Sequence, residues 1–116
     1  MSLYIGLMSG TSLDGVDGVL SSIPDEYDGG EIGILETAHV PFDGPLRQQL
    51  MSLQLPGHNE IEKEALAANR LSVLYAECVY TLLQKKSISA ENVRAIGAHG
   101  QTIRHRPELG FTRQTN

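Results

Sequence analysis

The fold is decided by residues 6–17, which run Gly6-Leu7-Met8-Ser9-Gly10-Thr11-Ser12-Leu13-Asp14-Gly15-Val16-Asp17. A short, mostly apolar run over residues 3–8 precedes the cluster of Ser, Gly and Thr, and an extended pattern resumes over residues 16–20. Apolar runs of this length that end in small polar residues are typical of buried strands entering a tight turn. The sequence therefore predicts a hairpin of two strands, with residues 9–17 as the connecting loop.

After this hairpin the sequence predicts one more strand, two helices and a last strand. Residues 24–30 are rich in Pro, Asp and Gly and indicate a turn, and residues 32–40 have the composition of a third strand. Asp43 is a candidate N-cap for a short helix. A longer helix is expected to end near Lys86, and residues 93–99 are the last predicted strand.

Both predicted helices have an apolar stripe at helical spacing. The first tolerates Pro45 in its opening turn, and its stripe consists of Leu46, Leu50 and Leu53. The second begins with Asn59 and Glu62 at the spacing of a capping box. Its predicted buried face comprises Ile61, Ala65, Ala68, Leu71, Tyr75, Cys78 and Leu82. Its predicted solvated face carries Glu60, Glu64, Asn69 and Arg70. These elements predict an α/β fold, as one incomplete domain over residues 1–116 in which an antiparallel three-strand meander is followed by helices and a further strand.

Composition and charge exclude several classes of protein. The 116 residues are 41% apolar and 20% charged, which is ordinary for a globular domain with a modest core. A net charge of -5 repels nucleic-acid phosphates, and the only basic cluster is the small Arg104-His105-Arg106. The longest uncharged stretch, which ends before Asp14, is too short and polar to cross a bilayer. We therefore expect no nucleic-acid partner and no membrane, and a cytoplasmic protein whose single Cys78 fills the core.

The loop over residues 9–17 has the chemistry of a phosphate-binding turn. Its Ser9-Gly10-Thr11-Ser12 segment offers small residues, backbone N–H groups and hydroxyl donors. Asp14 and Asp17 suit an anion site if magnesium or its waters lie between carboxylate and phosphate, and Asp14 is our candidate for that role. No lysine follows the glycines, and their spacing is not GxGxxG, so neither a P-loop nor a Rossmann turn fits. The alternative is a plain hairpin turn, in which the same residue types are common.

A second polar segment, residues 98–107, follows the last predicted strand. In open α/β sheets, ligands gather at the carboxyl ends of strands. His99, Gln101 and Thr102 supply donors and acceptors suited to sugar hydroxyls. A zinc site does not fit, because the segment lacks an HExxH pattern. The alternative is a turn with a capping histidine and a basic surface.

Both segments resemble signatures of one family. Residues 6–17 are similar to the opening signature of the anhydro-N-acetylmuramic acid kinases, and a second signature is similar to His99-Gly100-Gln101-Thr102-Ile103-Arg104-His105-Arg106-Pro107. That family belongs to the actin, heat-shock-70 and hexokinase superfamily. Its ribonuclease H-like fold implies a partial actin-like ATPase subdomain here, in which the turn between the first two strands binds ATP phosphates.

The resemblance also implies ligands and their contacts. ATP with Mg²⁺ is expected on Gly10, Thr11, Ser12, Leu13, Asp14, Gly15, Val16 and Asp17, of which Leu13 and Val16 are expected to pack the turn. The sugar is expected on His99, Gln101 and Thr102. The family's catalytic aspartate belongs to a later signature, so the resemblance implies no catalytic residue in this chain.

The reaction that the resemblance implies is the phosphorylation of 1,6-anhydro-N-acetylmuramic acid by ATP while water opens the anhydro ring. The products are N-acetylmuramic acid 6-phosphate and ADP, and the role is peptidoglycan recycling in bacteria. The abrupt end at Asn116 predicts a truncated chain that is inactive alone, with a sheet edge left unpaired. The expected partners are ATP and an anhydro amino sugar, with a homodimer of the full-length protein as a further expectation.

Three other classes of function stay open. The chain is alternatively a nucleotide- or sugar-binding module without turnover, a class that truncation favours. Another member of the superfamily, such as an acetate kinase or a heat-shock-70-like ATPase, is the second class, and the His-Gly-Gln-Thr segment argues against it. A structural or protein-interaction role is the third, and it leaves both polar loops without a purpose.

Overall fold

Two sheets and two helices make up the described part of the chain, which in the computed structural model comprises residues 1–10, 12–26 and 30–115. The elements are β1 (Ser2–Ser9), β2 (Gly15–Ile23), β3 (Gly33–Pro41), α1 (Gly44–Ser52), α2 (Glu60–Lys85), β4 (Val93–Ala98), β5 (Thr102–Arg106) and β6 (Phe111–Gln114). Two short 3-10 turns cover Ala90–Asn92 and Pro107–Leu109. Neither helix among these residues combines the length and the apolar content that a membrane span requires.

The main sheet has four strands in the order β3-β2-β1-β4. β1 and β2 pair antiparallel, as do β2 and β3, so the predicted meander is confirmed. β4 lies parallel to β1. A parallel pair needs a long connection, and the chain from β1 to β4 runs through β2, β3, α1 and α2. The predicted α/β class is confirmed, and the arrangement is that of a partial actin-like ATPase fold.

One face of this sheet packs on the second half of α2. The shared core consists of Ile5, Leu7, Val16, Leu20, Ala38, Leu71, Cys78 and Leu82. Packing is close enough that a Cβ on Gly18 would lie 2.5 Å from Cys78 Sγ. Cys78 is fully buried, and burial raises the pKa of its thiol. Its predicted place in the core is confirmed.

A second cluster lies between the two helices and the loops. It comprises Leu13, Leu46, Leu50, Leu53, Ala67 and Ile103. Leu13 belongs to the loop between β1 and β2, and Ile103 belongs to β5. Both polar segments singled out in the sequence therefore have an apolar anchor in the same cluster.

The two helix starts differ in how well they were predicted. Asp43 is the N-cap of α1, as predicted, since its side chain accepts a 2.8 Å hydrogen bond from the backbone N of Leu46. The capping box of α2 is wrong. Asn59 has a left-handed φ of 57°, whereas an N-cap residue that accepts from the first turn is normally extended. Its amide instead donates to Glu62 Oε2 at 2.5 Å.

The buried face of α2 was predicted correctly from Leu71 onward. Leu71, Cys78 and Leu82 are buried as expected, but Ile61 is 86% exposed, Ala65 is exposed too, and Ala67 is buried although it was not predicted to be. The main sheet shares its core with α2 from Leu71 to Leu82. The charged residues predicted to be solvated instead pair with other elements, Glu60 with Arg104, Glu64 with Arg113 and Arg70 with Asp43.

The hairpin of β5 and β6 was not predicted. It forms a two-stranded sheet apart from the main one, with Thr102 opposite Gln114 and Arg106 opposite Phe111. Gly110 makes the reversal between the strands with a φ of 83°, a conformation that favours glycine. β5 lies within the second polar segment, residues 98–107, so this hairpin fixes the direction in which the segment leaves the main sheet.

Candidate functional site

The two predicted ligand segments lie side by side at one edge of the main sheet. We name residues 9–17 the phosphate loop and residues 98–107 the sugar segment. Leu7 in β1 pairs with Ala98 in the parallel β4, and the backbone N of His99 donates to Leu7 O at 2.9 Å. Because neighbouring parallel strands end at the same edge, both segments begin there.

The phosphate loop is held by a buried leucine in a strained conformation. Leu13 has a φ of 53° and donates its backbone N to Gly10 O at 3.2 Å, while its side chain is only 5% exposed. A left-handed conformation costs a non-glycine residue about 1–3 kcal/mol. Burying a leucine side chain contributes about 1.5–3 kcal/mol. The burial therefore offsets the strain and holds the loop in its turn.

The polar side of the phosphate loop faces outward. Ser12 and Asp14 are exposed, and Ser12 Oγ donates to Asp14 Oδ1 at 3.0 Å. The backbone O of Asp14 accepts from Phe42 N at 3.0 Å, which ties the loop to the end of β3. Val16 is fully buried, so like Leu13 it packs the turn as predicted. Thr11, also predicted to bind nucleotide, lies outside the described residues.

His39 lies in no motif of the sequence, and the structure places it against the phosphate loop. It lies opposite Asp17 in the β2–β3 pairing, and its Nδ1 is 2.8 Å from Asp17 Oδ1. A Cβ on Gly15 would lie 2.8 Å from His39 Nε2 and closer still to Val40 O. Glycine is therefore required at position 15 for β3 to approach the loop. Only a cross-strand pattern would have pointed to His39, because it lies in no motif.

Two of the three predicted sugar residues form a polar cluster with Gln114. Gln114 Nε2 lies 3.1 Å from His99 Nε2 and donates to Thr102 Oγ1 at 3.3 Å. His99 Nδ1 is 2.8 Å from Gly100 O. An assignment that satisfies all three contacts has the proton on Nδ1 and an accepting Nε2, the neutral form of the ring. His99 is exposed at this edge and available to a ligand.

Gln101, the third predicted sugar residue, is fully buried. Its Oε1 accepts a hydrogen bond from Ser9 Oγ, and its Nε2 donates to Thr102 O at 3.1 Å. Its backbone N donates to Thr115 Oγ1 at 3.1 Å, and its backbone O accepts from Thr115 N at 3.1 Å. The side chain is engaged with protein atoms in this arrangement, and its contact with a sugar stays a prediction.

Arg104 holds the sugar segment on the helices. Its guanidinium donates to Leu53 O at 2.8 Å, to Leu55 O at 2.9 Å and to Glu60 Oε1 at 2.6 Å. These carbonyls follow the end of α1, where backbone acceptors lack helical partners. The hydrogen bond from Arg104 lowers the pKa of Glu60. Arg106, two residues on, pairs with the exposed Glu108.

Asp14 suits magnesium bound through phosphate and water. Within residues 1–10, 12–26 and 30–115, no three His, Cys, Asp or Glu side chains are grouped to hold a metal ion by themselves. Mg²⁺ is commonly held by one or two carboxylates together with substrate phosphates and waters. The exposed carboxylate of Asp14, beside the main-chain turn of the phosphate loop, fits that donor set.

Comparison with known proteins identifies the family. Residues 2–116 match the family model described as anhydro-N-acetylmuramic acid kinase. Proteins of that name are 58% identical in Ralstonia nicotianae and 53% identical in Cupriavidus metallidurans, over 97% of this chain in each case. One from Paraburkholderia xenovorans is 54% identical over 98% of it. The chain spans about 30% of the length of these curated relatives. On this similarity and its two signatures, the chain belongs to the anhydro-N-acetylmuramic acid kinase family.

Proposed function

We propose that this chain supplies the phosphate side and part of the sugar side of a kinase active site that transfers phosphate from ATP to 1,6-anhydro-N-acetylmuramic acid. The observation that carries the proposal is the meeting of the two segments, since β1 and the parallel β4 deliver the phosphate loop and the sugar segment to one sheet edge. Two ligands that react must be held within contact of each other. The family membership points to the same pair of ligands.

On the phosphate side, the turn of residues 9–17 would receive the terminal phosphates of ATP. Backbone N–H groups, the Ser12 hydroxyl and the Thr11 hydroxyl are the proposed donors, with Asp14 placed to hold a magnesium ion through water. Bound Mg²⁺ would neutralise the charge that develops on the transferred phosphate. Leu13 and Val16 contribute only their main chain, because their side chains are buried.

On the sugar side, His99 and Thr102 are the proposed contacts to hydroxyl groups. Gln114 lies between them and holds the imidazole ring and the Thr102 hydroxyl close together. Gln101 is proposed to act on the sugar through the position of this segment. Its amide is already engaged with Ser9 and with the carbonyl of Thr102.

The proposed reaction couples two substitutions, one at the anomeric carbon of the sugar and one at the terminal phosphorus of ATP. Water attacks the anomeric carbon, the bond from that carbon to the bridging oxygen breaks, and this oxygen forms a bond to the terminal phosphorus of ATP as ADP leaves. The attacking water must lose a proton to a general base. Asp14 lies in the phosphate loop and is assigned to the metal, so we propose that the base is supplied by another part of the complete protein. We infer a cytoplasmic role in peptidoglycan recycling and a homodimeric complete protein.

The test is an assay of the complete protein with ATP, Mg²⁺ and 1,6-anhydro-N-acetylmuramic acid. The expected result is equimolar ADP and N-acetylmuramic acid 6-phosphate, with no product when Mg²⁺ is removed by a chelator. Saturable binding of both ligands without product would instead identify a binding module. Absence of nucleotide binding would remove the proposed role of the phosphate loop.

Asp14→Asn tests the metal assignment. We expect Mg-ATP affinity to fall about 10- to 100-fold, because a carboxylate that holds a metal through water loses its charge. The matched control is Asp25→Asn, since Asp25 pairs with the amino terminus at the other end of β1. Calorimetric titration of both variants with Mg-ATP is the measurement. Equal affinities for the two variants would contradict the role of Asp14.

A further inference from the structure

A buried hydrogen bond joins the two ligand segments. Ser9 Oγ, at the start of the phosphate loop, donates to Gln101 Oε1 in the sugar segment, 92 residues away in sequence. Ser9 is 4% exposed and Gln101 is fully buried. Removing either partner leaves a buried hydroxyl or a buried amide without its hydrogen bond, and this destabilises the folded protein. The structure therefore holds both residues in one relative position.

The amide of Gln101 connects Ser9 to the proposed sugar contacts through further hydrogen bonds. Its Nε2 donates to the backbone O of Thr102 at 3.1 Å, and Thr102 Oγ1 accepts from Gln114, which also contacts His99. A displacement of Ser9 would therefore require a displacement of Gln101 and of the Thr102 main chain. The chain of contacts runs from the phosphate loop to the exposed polar groups of the sugar segment.

Apolar packing supports the same connection. Leu13 of the phosphate loop and Ile103 of the sugar segment are buried in one cluster, each 5% exposed. The two segments thus share a polar contact at their beginnings and an apolar cluster further along. Either segment leaves its position only if contacts with the other are broken.

We infer that Ser9 and Gln101 are positioning residues that couple nucleotide binding to sugar binding. The inference rests on the proposed function, because it assigns ATP to one segment and the anhydro sugar to the other. A ligand that shifts one segment into its bound position shifts the other segment with it through these contacts, so the second ligand meets a segment that is already in position. Each ligand should then raise the affinity for the other by the same factor, since binding free energies are reciprocal.

The experiment measures this factor in the complete protein by calorimetry. The dissociation constant of 1,6-anhydro-N-acetylmuramic acid is determined with and without a non-hydrolysable ATP analogue and Mg²⁺, and the reverse pair is determined as well. The expected factor lies in the range of about 5- to 150-fold. Ser9→Ala and Gln101→Met should each bring it close to 1 in both directions. The double variant should match the single ones, because both remove the same contact.

Ser21→Ala is the matched control. Ser21 is also a buried serine of the main sheet, 9% exposed, but its hydroxyl lies 3.5 Å from Tyr4 O, away from both segments. It should leave the coupling factor unchanged. Thermal unfolding of every variant checks that it folds, and Ser9→Ala carries the test if Gln101→Met does not. A hydrogen bond with only a structural role would lower the unfolding temperature and leave the factor intact.

The outcomes separate this inference from the proposed function. A wild-type protein that binds neither ligand overturns the proposed function, and the coupling falls with it. A wild-type protein that binds both ligands independently overturns the coupling alone. Retention of the wild-type factor in Ser9→Ala has the same consequence, whereas its loss in Ser9→Ala but not in Ser21→Ala supports the inference.

Discussion

The phosphate loop and the sugar segment lie next to each other, but different forces hold them. The phosphate loop is fixed by buried apolar side chains, with Leu13 and Val16 inside and its charged groups outside. The sugar segment is fixed largely by polar side chains, with Gln101 buried and Arg104 bonded to three groups of the helices. Polar residues in a ligand-binding signature can therefore be structural supports.

The difference sets different expectations for substitution. Removing apolar area from the phosphate loop leaves a cavity, whereas removing a polar support from the sugar segment leaves partly buried acceptors without a donor. Exposed groups at either place have little effect on folding, so their substitution reports on ligands alone.

Leu13→Ala should have the largest effect. Leucine-to-alanine changes in cores cost about 2–5 kcal/mol of unfolding free energy, and the strained φ of 53° remains without the burial that offset it. Chemical denaturation is the measurement. Leu55→Ala is the control, because Leu55 is 72% exposed, and it should change stability by less than about 0.5 kcal/mol. Similar losses for both variants would refute an apolar anchor in the loop.

Arg104→Met should have an intermediate effect. It leaves the backbone oxygens of Leu53 and Leu55 without their guanidinium donor, at a cost of about 1–3 kcal/mol. Arg106→Met is matched in chemistry, but the guanidinium of Arg106 forms its ion pair with an exposed glutamate, so no measurable loss is expected. Thermal unfolding distinguishes the two. If Arg106→Met were the more damaging variant, the assignment of Arg104 as the support of the sugar segment would be wrong.

His39→Ala should have the smallest effect on stability. The His39–Asp17 pair is solvent-exposed on both sides, and such pairs contribute about 0–1 kcal/mol. Loss of the ring also removes a contact from Gly15, so Mg-ATP affinity should fall while the unfolding temperature stays close to wild type. His58→Ala, in the exposed connection between the helices, is the control for both measurements. An unfolding temperature lowered as far as in Arg104→Met would show that the pair is a structural support.

Local patterns were sufficient for most of the main sheet and both helices. Apolar runs ending in Gly, Ser and Thr located β1 and β2, and Asp43 before Pro45 located the start of α1. The β5–β6 hairpin escaped prediction because Ile103 is the single aliphatic side chain of β5, which otherwise consists of polar and charged residues. Such a strand is stable only through its partners, α1 and α2 among them, and these are distant in sequence.

In the candidate site, too, some features could be predicted from the sequence and others could not. The phosphate loop and the sugar segment were recognised from their composition and from resemblance to a family. The roles of individual side chains were not, since burial of Gln101, the approach of His39 to Gly15 and the contact of Gln114 with His99 all depend on strands that meet only after folding. Each of these contacts joins residues that are distant in the sequence.

The sequence by itself determined the order of elements from β1 to β4, the polar character of the two segments and the family, because these depend on local propensity, periodicity and consecutive residues. Tertiary structure alone decided which polar groups are exposed and which form hydrogen bonds in the interior. The physical reason is that a buried hydroxyl or amide must find a partner, and for Ser9 that partner is Gln101, brought within reach only when β4 lies parallel to β1.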